Sequence, residues 1–193
     1  MFAYSSPSPA KALFAPNSPT LSRYDPQIKS AVKLYWSDYP IWEAWWGQLY
    51  QESNLNPTAK SGVGAEGLAQ FMPGTWSDMT KAMRLGMVPR TDANYAITVG
   101  AYYMSKLRGN WSPTKNRTAE DRNQLAQASY NAGYGWIAKA QTRCGGGVSN
   151  PLTWPEISPC LEFITSKASA GQTLDYVVKI DKWMSLKMEG VDP

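Results

Sequence analysis

Residues 52–76 read ESNLNPTAKSGVGAEGLAQFMPGTW, and they begin with a carboxylate that is followed by glycines and small residues. Directly before them, residues 41–51 read IWEAWWGQLYQ, which is rich in aromatic side chains and has apolar residues at helical spacing. Residues 54–74 contain too much Gly, Pro and Asn for a long helix. Glu52 is therefore predicted to end a helix and to border an irregular segment.

Two physical effects act on the pKa of Glu52. The carboxyl end of a helix carries partial negative charge, which disfavours a carboxylate and raises its pKa. Burial against the aromatic residues raises the pKa further, because it removes water from the charged form. A carboxylic acid that stays protonated near neutral pH is what cleavage of a glycosidic bond requires, since the leaving oxygen must receive a proton. A glutamate at a helix end can also be a solvated group without a chemical role, so this residue alone leaves both interpretations open.

The composition narrows the classes of function. The chain has 193 residues, a net charge of +4 and a pI of about 9.0, which suits a polyanionic surface. No dense Lys/Arg stripe is present, so nucleic acid is not an expected partner. The absence of histidine excludes Ser-His and Cys-His catalytic pairs and histidine-bound zinc. We expect no metal, no cofactor and no transmembrane segment, and no secretory signal is recognised, so a carrier would have to deliver the protein to an outer compartment.

The periodicity along the chain predicts a mainly α protein with one domain. Residues 1–24, rich in proline and serine, are predicted to form an extended arm, and residues 25–190 the folded domain. We expect about seven to nine short helices, with a small irregular or β-hairpin segment around residues 58–73. Asp92 and the pair Thr118–Asp121 have the pattern of helix N-caps, and Gly133 that of a helix stop.

Two cysteines, Cys144 and Cys160, flank a segment rich in Gly and Pro, CGGGVSNPLTWPEISPC. They either close this segment with a disulfide or remain two separate buried thiols, and the composition slightly favours the disulfide. Residues 142–162 are interpreted as an inserted loop.

The spacing within residues 52–75 resembles the signature of the soluble lytic transglycosylases of family 1, which is roughly E-S-x-[FL]-N-P-x-A-x-S-x-x-G-A-x-G-L-M-Q-x-M-P-x-T. The matching residues are Glu52, Ser53, Asn56, Pro57, Ala59, Ser61, Gly64, Ala65, Gly67, Leu68, Gln70, Met72, Pro73 and Thr75. Ala69 departs from the pattern, because methionine is usual there. The resemblance extends over about residues 27–188.

Two further motifs resemble the same family and follow in the same order. SYNAGYGWI, residues 129–137, resembles the family's A-Y-N-A-G-x-G motif and supplies Tyr130 and Asn131. QTLDYVVKI, residues 172–180, resembles E-T-x-x-Y-V-x-x-[IV] and supplies Tyr176. Gln172 stands where glutamate is usual, which puts any charge-dependent contact at that position in doubt.

The resemblance implies a fold like that of goose-type lysozyme and a defined reaction. The expected substrate is the glycan strand of peptidoglycan, cleaved at the β-1,4 bond between N-acetylmuramic acid and N-acetylglucosamine with formation of a 1,6-anhydro end. Glu52 is implied as general acid and base, and Glu66 is assigned to solvent. The implied substrate-binding residues are Ser61, Gln70, Met72, Tyr130, Asn131 and Tyr176.

Two alternatives and one question of context stay open at this point. The chain could be a goose-type-lysozyme-like muramidase that admits water, or a peptidoglycan-binding or virion structural module without activity. The arm at residues 1–24 could tether the protein to a phage virion or to a bacterial secretion apparatus. Action on peptidoglycan in the periplasm or cell wall is expected in each case.

Overall fold

Eight α-helices and one 3₁₀ helix run through the part of the chain that the computed structural model describes, which is residues 23–111, 113, 117–145, 153–191 and 193. In chain order they are α1 (Asp25–Tyr35), α2 (Trp42–Ser53), α3 (Pro73–Ala82), α4 (Ala93–Gly109), α5 (Ala119–Ala132), α6 (Tyr134–Cys144), α7 (Trp154–Ile157), the 3₁₀ helix (Ser158–Phe163) and α8 (Lys167–Met188). The mainly α class and the expected number of helices are confirmed.

The ends of several helices follow the local chemistry of the sequence. The side chain of Asp92 accepts hydrogen bonds from the backbone N–H groups of Asn94 and Tyr95 at the start of α4. Thr118 and Asp121 form a capping box at the start of α5, and Gly133 ends that helix with a positive φ of 91°. These three predicted boundaries are confirmed.

The larger of two hydrophobic cores surrounds α2. Trp36, Trp45 and Trp46 are fully buried in it, and the indole N–H of Trp45 donates to the carbonyl of Ile97 in α4. At Gly47, α8 crosses α2 so closely that a Cβ atom would lie 3.0 Å from the carbonyl oxygen of Ile180. The small residue thus permits the approach that brings the side chains of α8 to the end of α2.

The smaller core lies among α5, α6, α7, the 3₁₀ helix and α8, and it corrects the prediction of an inserted loop at residues 142–162. Residues 154–163 are helical, and Trp154, Ile157 and Leu161 are buried in this core. A capping box between Thr153 and Glu156 starts α7. The apolar spacing in WPEISPCL was hidden by its two prolines, which here stand in the first turn of each short helix, where proline is tolerated.

A disulfide joins Cys144, the last residue of α6, to Cys160 in the 3₁₀ helix, with their Cα atoms 5.7 Å apart. Residues 146–152, which contain the glycine-rich part of the predicted loop, lie outside the described residues.

The predicted arm at residues 1–24 falls almost wholly outside the described residues, which begin at Arg23. Tyr24 is the exception that bears on the boundary, because its ring is buried in the larger core. The folded domain therefore includes residues 23 and 24, because the ring of Tyr24, just before α1, packs into the larger core.

Residues 58–72 form the small irregular segment that was predicted around residues 58–73. Two antiparallel bridges pair Lys60 with Glu66 and Glu66 with Phe71. Gly67 has a φ of 84°, and a Cβ atom there would lie 2.0 Å from the carbonyl oxygen of Arg90. No larger side chain fits this position without moving the backbone, so the turn depends on glycine.

Candidate active site

Glu52 occupies the last turn of α2, where the sequence predicted it, and its side chain is partly buried. The hydroxyl of Tyr176, a buried residue of α8, donates a hydrogen bond of 2.5 Å to Oε1 of Glu52. A second link between the same two helices runs from the indole N–H of Trp183 to Oε1 of Gln51, over 2.9 Å. The crossing of α2 and α8 thus holds the carboxyl group in place.

Burial raises the pKa of Glu52 from 4.5 to about 7, and the hydrogen bond from Tyr176 opposes this by stabilising the carboxylate. At neutral pH the group is therefore divided between its acid and its base form. Such a group can both give and take a proton, which is the property required of a general acid and base.

Gln48 is a site residue that sequence reasoning missed. It is fully buried one turn before Glu52 on α2, and its amide nitrogen lies 3.4 Å from the sulfur of Met104. Burial and the nearby charge of Glu52 raise the pKa of Tyr176 well above 10, and the contact of Gln48 with the Tyr176 hydroxyl opposes this rise. A glutamine at helical spacing from Glu52 on an otherwise apolar face was the signal that could have identified it.

The chain turns sharply after Glu52. Asn54 and Leu55 both have positive φ angles, 51° and 58°, and the side chain of Leu55 is nevertheless buried. Ser53 fastens the turn, because its Oγ lies 2.8 Å from the carbonyl oxygen of Leu68. Backbone strain of this kind persists only where surrounding contacts determine it, and here it redirects the chain immediately after the carboxyl group.

Glu66 does not stand free in solvent, which corrects its assignment. Its carboxylate forms ion pairs of 3.0 Å with Lys60 and 3.0 Å with Arg90, and its side chain is 20% exposed. Hydrogen bonding to Lys60 is the main cause that lowers the pKa of Glu66. Arg90 also donates to the carbonyl oxygens of Gly64 and Phe71, so the pair fixes the shape of the segment. Nothing in the sequence marked Arg90, because it lies far along the chain from its partners.

Three of the predicted substrate-binding residues lie in or next to this segment. Gln70 has a φ of 44°, and its amide nitrogen donates to the carbonyl oxygens of Ala59 and Gly67. The Oγ of Ser61 accepts from the backbone N–H of Ala65. Both side chains therefore shape the segment, whereas Met72 is 44% exposed and open to a ligand.

Tyr130 and Asn131, consecutive at the end of α5, face two different depressions. Tyr130 lines a small one of about 60 Å³ together with Gln70 and Met72, and its hydroxyl donates to the carbonyl oxygen of Ala69 over 2.6 Å. Asn131 lines a larger pocket of about 260 Å³ between α5, α6 and α8. Its Oδ1 accepts a hydrogen bond from the hydroxyl of Thr173. A long substrate could rest on these two depressions, because the consecutive residues Tyr130 and Asn131 line one each.

Candidate metal clusters and membrane-spanning helices are absent from the residues that the structure describes. They contain no group of three His, Cys, Asp or Glu side chains that could hold a metal ion. None of their helices is both long enough and apolar enough to cross a bilayer.

A family model described as the transglycosylase SLT domain matches residues 49–147 of this chain. Among curated proteins, the membrane-bound lytic murein transglycosylase F of Desulfosudis oleivorans is 30% identical over 147 residues, which are 76% of this chain and 30% of that protein. The protein of the same name from Shewanella woodyi is 30% identical over 149 residues, 77% of this chain and 29% of its own length. The chain thus spans less than a third of the curated relatives that it matches.

Two solved structures share the fold. The lytic transglycosylase Slt of Pseudomonas aeruginosa, in an inactive mutant, has a TM-score of 0.66 at 20% identity, over 89% of this chain and 25% of the other. The 70-kDa soluble lytic transglycosylase of Escherichia coli has a TM-score of 0.63 at 22% identity, over 87% of this chain and 26% of the other. At these identities the likeness concerns the fold.

Proposed function

Because this chain belongs to the transglycosylase SLT domain family, we propose that it is a peptidoglycan lytic transglycosylase with Glu52 as its general acid and base. Its similarity to proteins named lytic murein transglycosylase supports the substrate class. The observation that carries the assignment is the carboxyl group of Glu52, which has a pKa of about 7 and is held by the hydroxyl of Tyr176.

In the first step, the protonated Glu52 gives its proton to the glycosidic oxygen. Tyr176 donates to Oε1, so Oε1 acts as an acceptor and the acidic proton resides on Oε2. The bond between C1 of N-acetylmuramic acid and O4 of N-acetylglucosamine breaks, and O4 leaves as a hydroxyl. A correctly placed general acid accelerates such a step by about 10²–10⁴-fold.

In the second step, the carboxylate of Glu52 takes the proton from the C6 hydroxyl of the same muramic acid. The C6 oxygen then bonds to C1 and closes the 1,6-anhydro ring, while Glu52 returns to its acid form. The proton that Glu52 gives in the first step returns to it in the second, so no water is consumed. Glu52 must act first as an acid and then as a base, which a pKa of about 7 allows.

The state of Glu66 supports a mechanism with one carboxyl group. Two-carboxylate glycosidases place a second, ionised carboxylate where it can act as nucleophile or base. Glu66 is the other carboxylate of the signature segment, and Lys60 and Arg90 hold its ionised form in ion pairs of 3.0 Å each. With Glu66 committed to the structure of the segment, the proposed attacking group is the substrate's own hydroxyl.

Mass spectrometry of the muropeptides released from purified sacculi tests the reaction. Products lighter by one water and resistant to borohydride reduction are the expected result. Reducible ends would show that water attacks, as in a goose-type-lysozyme-like muramidase. Absence of released products from a folded protein would favour a peptidoglycan-binding or virion structural module.

The place of action proposed here is the peptidoglycan of the bacterial periplasm or cell wall. A virion or secretion-apparatus protein is the partner that the proline- and serine-rich residues 1–22 would contact as a tether. Deletion of residues 1–22 should spare activity on isolated sacculi and abolish association with such a partner. Residues 23 and 24 must be kept, because Tyr24 belongs to the core.

A further inference from the structure

Gln48 is a buried amide on the helix face that carries the acid. It lies four residues before Glu52 on α2, so the two side chains share one face of the helix. No part of Gln48 is exposed, and within the described part of the chain its Oε1 has no hydrogen-bond partner. A buried carbonyl oxygen without a partner lowers the stability of a folded protein, and an apolar side chain of similar shape would avoid that cost. The presence of an amide at this position therefore points to a role in the site.

The amide nitrogen is the end of Gln48 that has contacts. It lies 3.4 Å from the sulfur of Met104 in α4, which is a weak acceptor. Gln48 also contacts the hydroxyl of Tyr176, and this contact opposes the rise in the pKa of the tyrosine. A donor to the phenol oxygen has that effect because it stabilises the phenolate, whereas an acceptor of the phenol proton would raise the pKa. The two N–H groups of the amide thus have one acceptor each.

The hydroxyl of Tyr176 has one hydrogen and two lone pairs, so it can meet Glu52 in two ways. It can donate to Oε1 of Glu52, or it can accept a proton that this oxygen carries. The distance of 2.5 Å between the two oxygens fits either direction. In the second arrangement the acidic proton lies between Glu52 and Tyr176, where the glycosidic oxygen cannot receive it. The direction of this hydrogen bond therefore decides whether the protonated carboxyl group can act as an acid.

We propose that Gln48 is a positioning residue that fixes this direction. Its Nε2 donates to the oxygen of Tyr176 and occupies a lone pair, so the tyrosine hydrogen points to Oε1 of Glu52 and the acidic proton stays on Oε2. The sulfur of Met104 accepts from the other N–H of the amide and so orients the side chain. The inference rests on the proposed function, because it takes Glu52 as the acid.

The same contact acts on the acid itself. A hydroxyl that accepts a hydrogen bond becomes a better donor, so Gln48 strengthens the bond from Tyr176 to the carboxylate of Glu52. Tyr176 of α8 and Tyr130 of α5 face Glu52 with titratable groups, and the pKa of each tyrosine is raised well above 10, so both are neutral near pH 7. Loss of the Gln48 amide is therefore expected to raise the pKa of Glu52, in the same direction as loss of the Tyr176 hydroxyl and by a smaller amount.

A titration of Glu52, followed by the NMR shift of its carboxyl carbon in ¹³C-labelled protein, tests this role without turnover. Gln48→Met keeps the length of the side chain but removes its N–H groups. The change is expected to raise the pKa of Glu52 in the protein with Tyr176. It should have no effect in Tyr176→Phe, which lacks the oxygen that Gln48 contacts. An equal shift in both backgrounds, or no shift in the first, would overturn the proposal.

Turnover of sacculi gives the second readout. Gln48→Met should lower kcat about threefold, the value of one neutral hydrogen bond, and move the basic limb of the pH–rate profile to higher pH. Thermal unfolding should show a protein at least as stable as the unmodified one, because the substitution removes the unpartnered carbonyl oxygen. An unchanged kcat with an unmoved limb would contradict the role. If Gln48→Met does not fold, Gln48→Leu takes its place in every comparison.

Gln127→Met is the matched control. Gln127 of α5 is a buried glutamine that is 1% exposed, and in the described part of the chain its Oε1 also lacks a partner. It is not among the groups that shift the pKa of Glu52 or of Tyr176, so its substitution should leave the basic limb in place. A shift of the same size in this variant would assign the effect to the loss of any buried amide and refute the role of Gln48. A protein that makes no anhydro product refutes the proposed reaction, and the titration of Glu52 still decides the role of Gln48.

Discussion

The Tyr176 hydroxyl lies 2.5 Å from Oε1 of Glu52, although 124 residues separate the two along the chain. Burial raises the pKa of the carboxyl group and this hydrogen bond lowers it, so its value of about 7 is the balance of two opposed contributions. The same bond assigns the two oxygens of the group different tasks, because Oε1 accepts while Oε2 is left to carry the proton.

Glu52→Gln should abolish turnover while leaving the fold intact. The amide is close in size to the carboxyl group and can still accept the hydrogen bond from Tyr176, but it cannot give or take the proton. A sole acid and base should account for at least about 10⁴-fold in rate, the upper end of the range for general acid catalysis. Release of anhydromuropeptides from sacculi measures the effect.

Glu43→Gln is the matched control for that substitution, because Glu43 is a partly buried glutamate in the first turn of the same helix. Its rate should stay near that of the unmodified protein. Full activity in Glu52→Gln would refute the assignment of the acid, and equal loss in both variants would indicate damage to α2.

Tyr176→Phe should move the basic limb of the pH–rate profile to higher pH. Activity requires the protonated carboxyl group, so it falls as pH rises through the pKa of Glu52. The tyrosine hydroxyl lowers that pKa, and its removal therefore raises it. We also expect kcat to fall roughly tenfold, the value of one hydrogen bond to a charged group. A variant that only loses stability would show fewer active molecules and an unshifted limb.

The stability of the protein should respond to pH through Glu52, in the direction opposite to an ordinary surface carboxylate. The folded-state pKa of about 7 lies above the reference value of 4.5, so the folded state holds more protons between these two values. The contribution of Glu52 to the free energy of unfolding is therefore fully present at low pH and is lost as pH rises from about 4.5 to 7.

Glu52→Gln should therefore stabilise the protein at pH 8 by about 1–3 kcal/mol, because it removes a partly buried charge. The gain should shrink as pH falls towards 5. Thermal unfolding of both proteins at several pH values measures the difference, and a gain that does not depend on pH would contradict the raised pKa.

Reduction of the Cys144–Cys160 disulfide should lower the free energy of unfolding. A loop of about 15 residues contributes about 3 kcal/mol by limiting the unfolded chain, and the two cysteines here are 16 residues apart. Thermal unfolding with and without a reductant tests this. The Cys144→Ala/Cys160→Ala protein is the control, because its stability should not respond to the reductant. A reductant effect of the same size in that variant would assign the change to another cause.

The sequence was most informative where structure is local. The caps at Asp92 and Thr118 and the stop at Gly133 depend on contacts within a few residues, so the spacing was enough to predict them. The position of Glu52 at the end of an aromatic helix was equally readable, because apolar periodicity and the following glycines mark the boundary.

Contacts between distant segments were not readable in the same way. The ion pairs of Glu66 with Arg90 and the burial of Tyr24 arise from tertiary packing, and neither has a local pattern. The helices of the cysteine-flanked segment were missed because Pro155 and Pro159 suggested a loop. In fact each stands at a helix start, and the segment is stabilised because its Trp154 and Leu161 are buried in the smaller core with residues of α5, α6 and α8.

The close crossing of α2 and α8 at Gly47 also determines when the contact between Glu52 and Tyr176 can form during synthesis. The acid is synthesised early and the hydroxyl that orients it arrives only with α8, near the end of the described chain. A nascent polypeptide on the ribosome therefore holds Glu52 without its partner until α8 has docked. The proposed reaction is thereby tied to completion of folding, because a chain that ends before α8 lacks the contact between Glu52 and Tyr176.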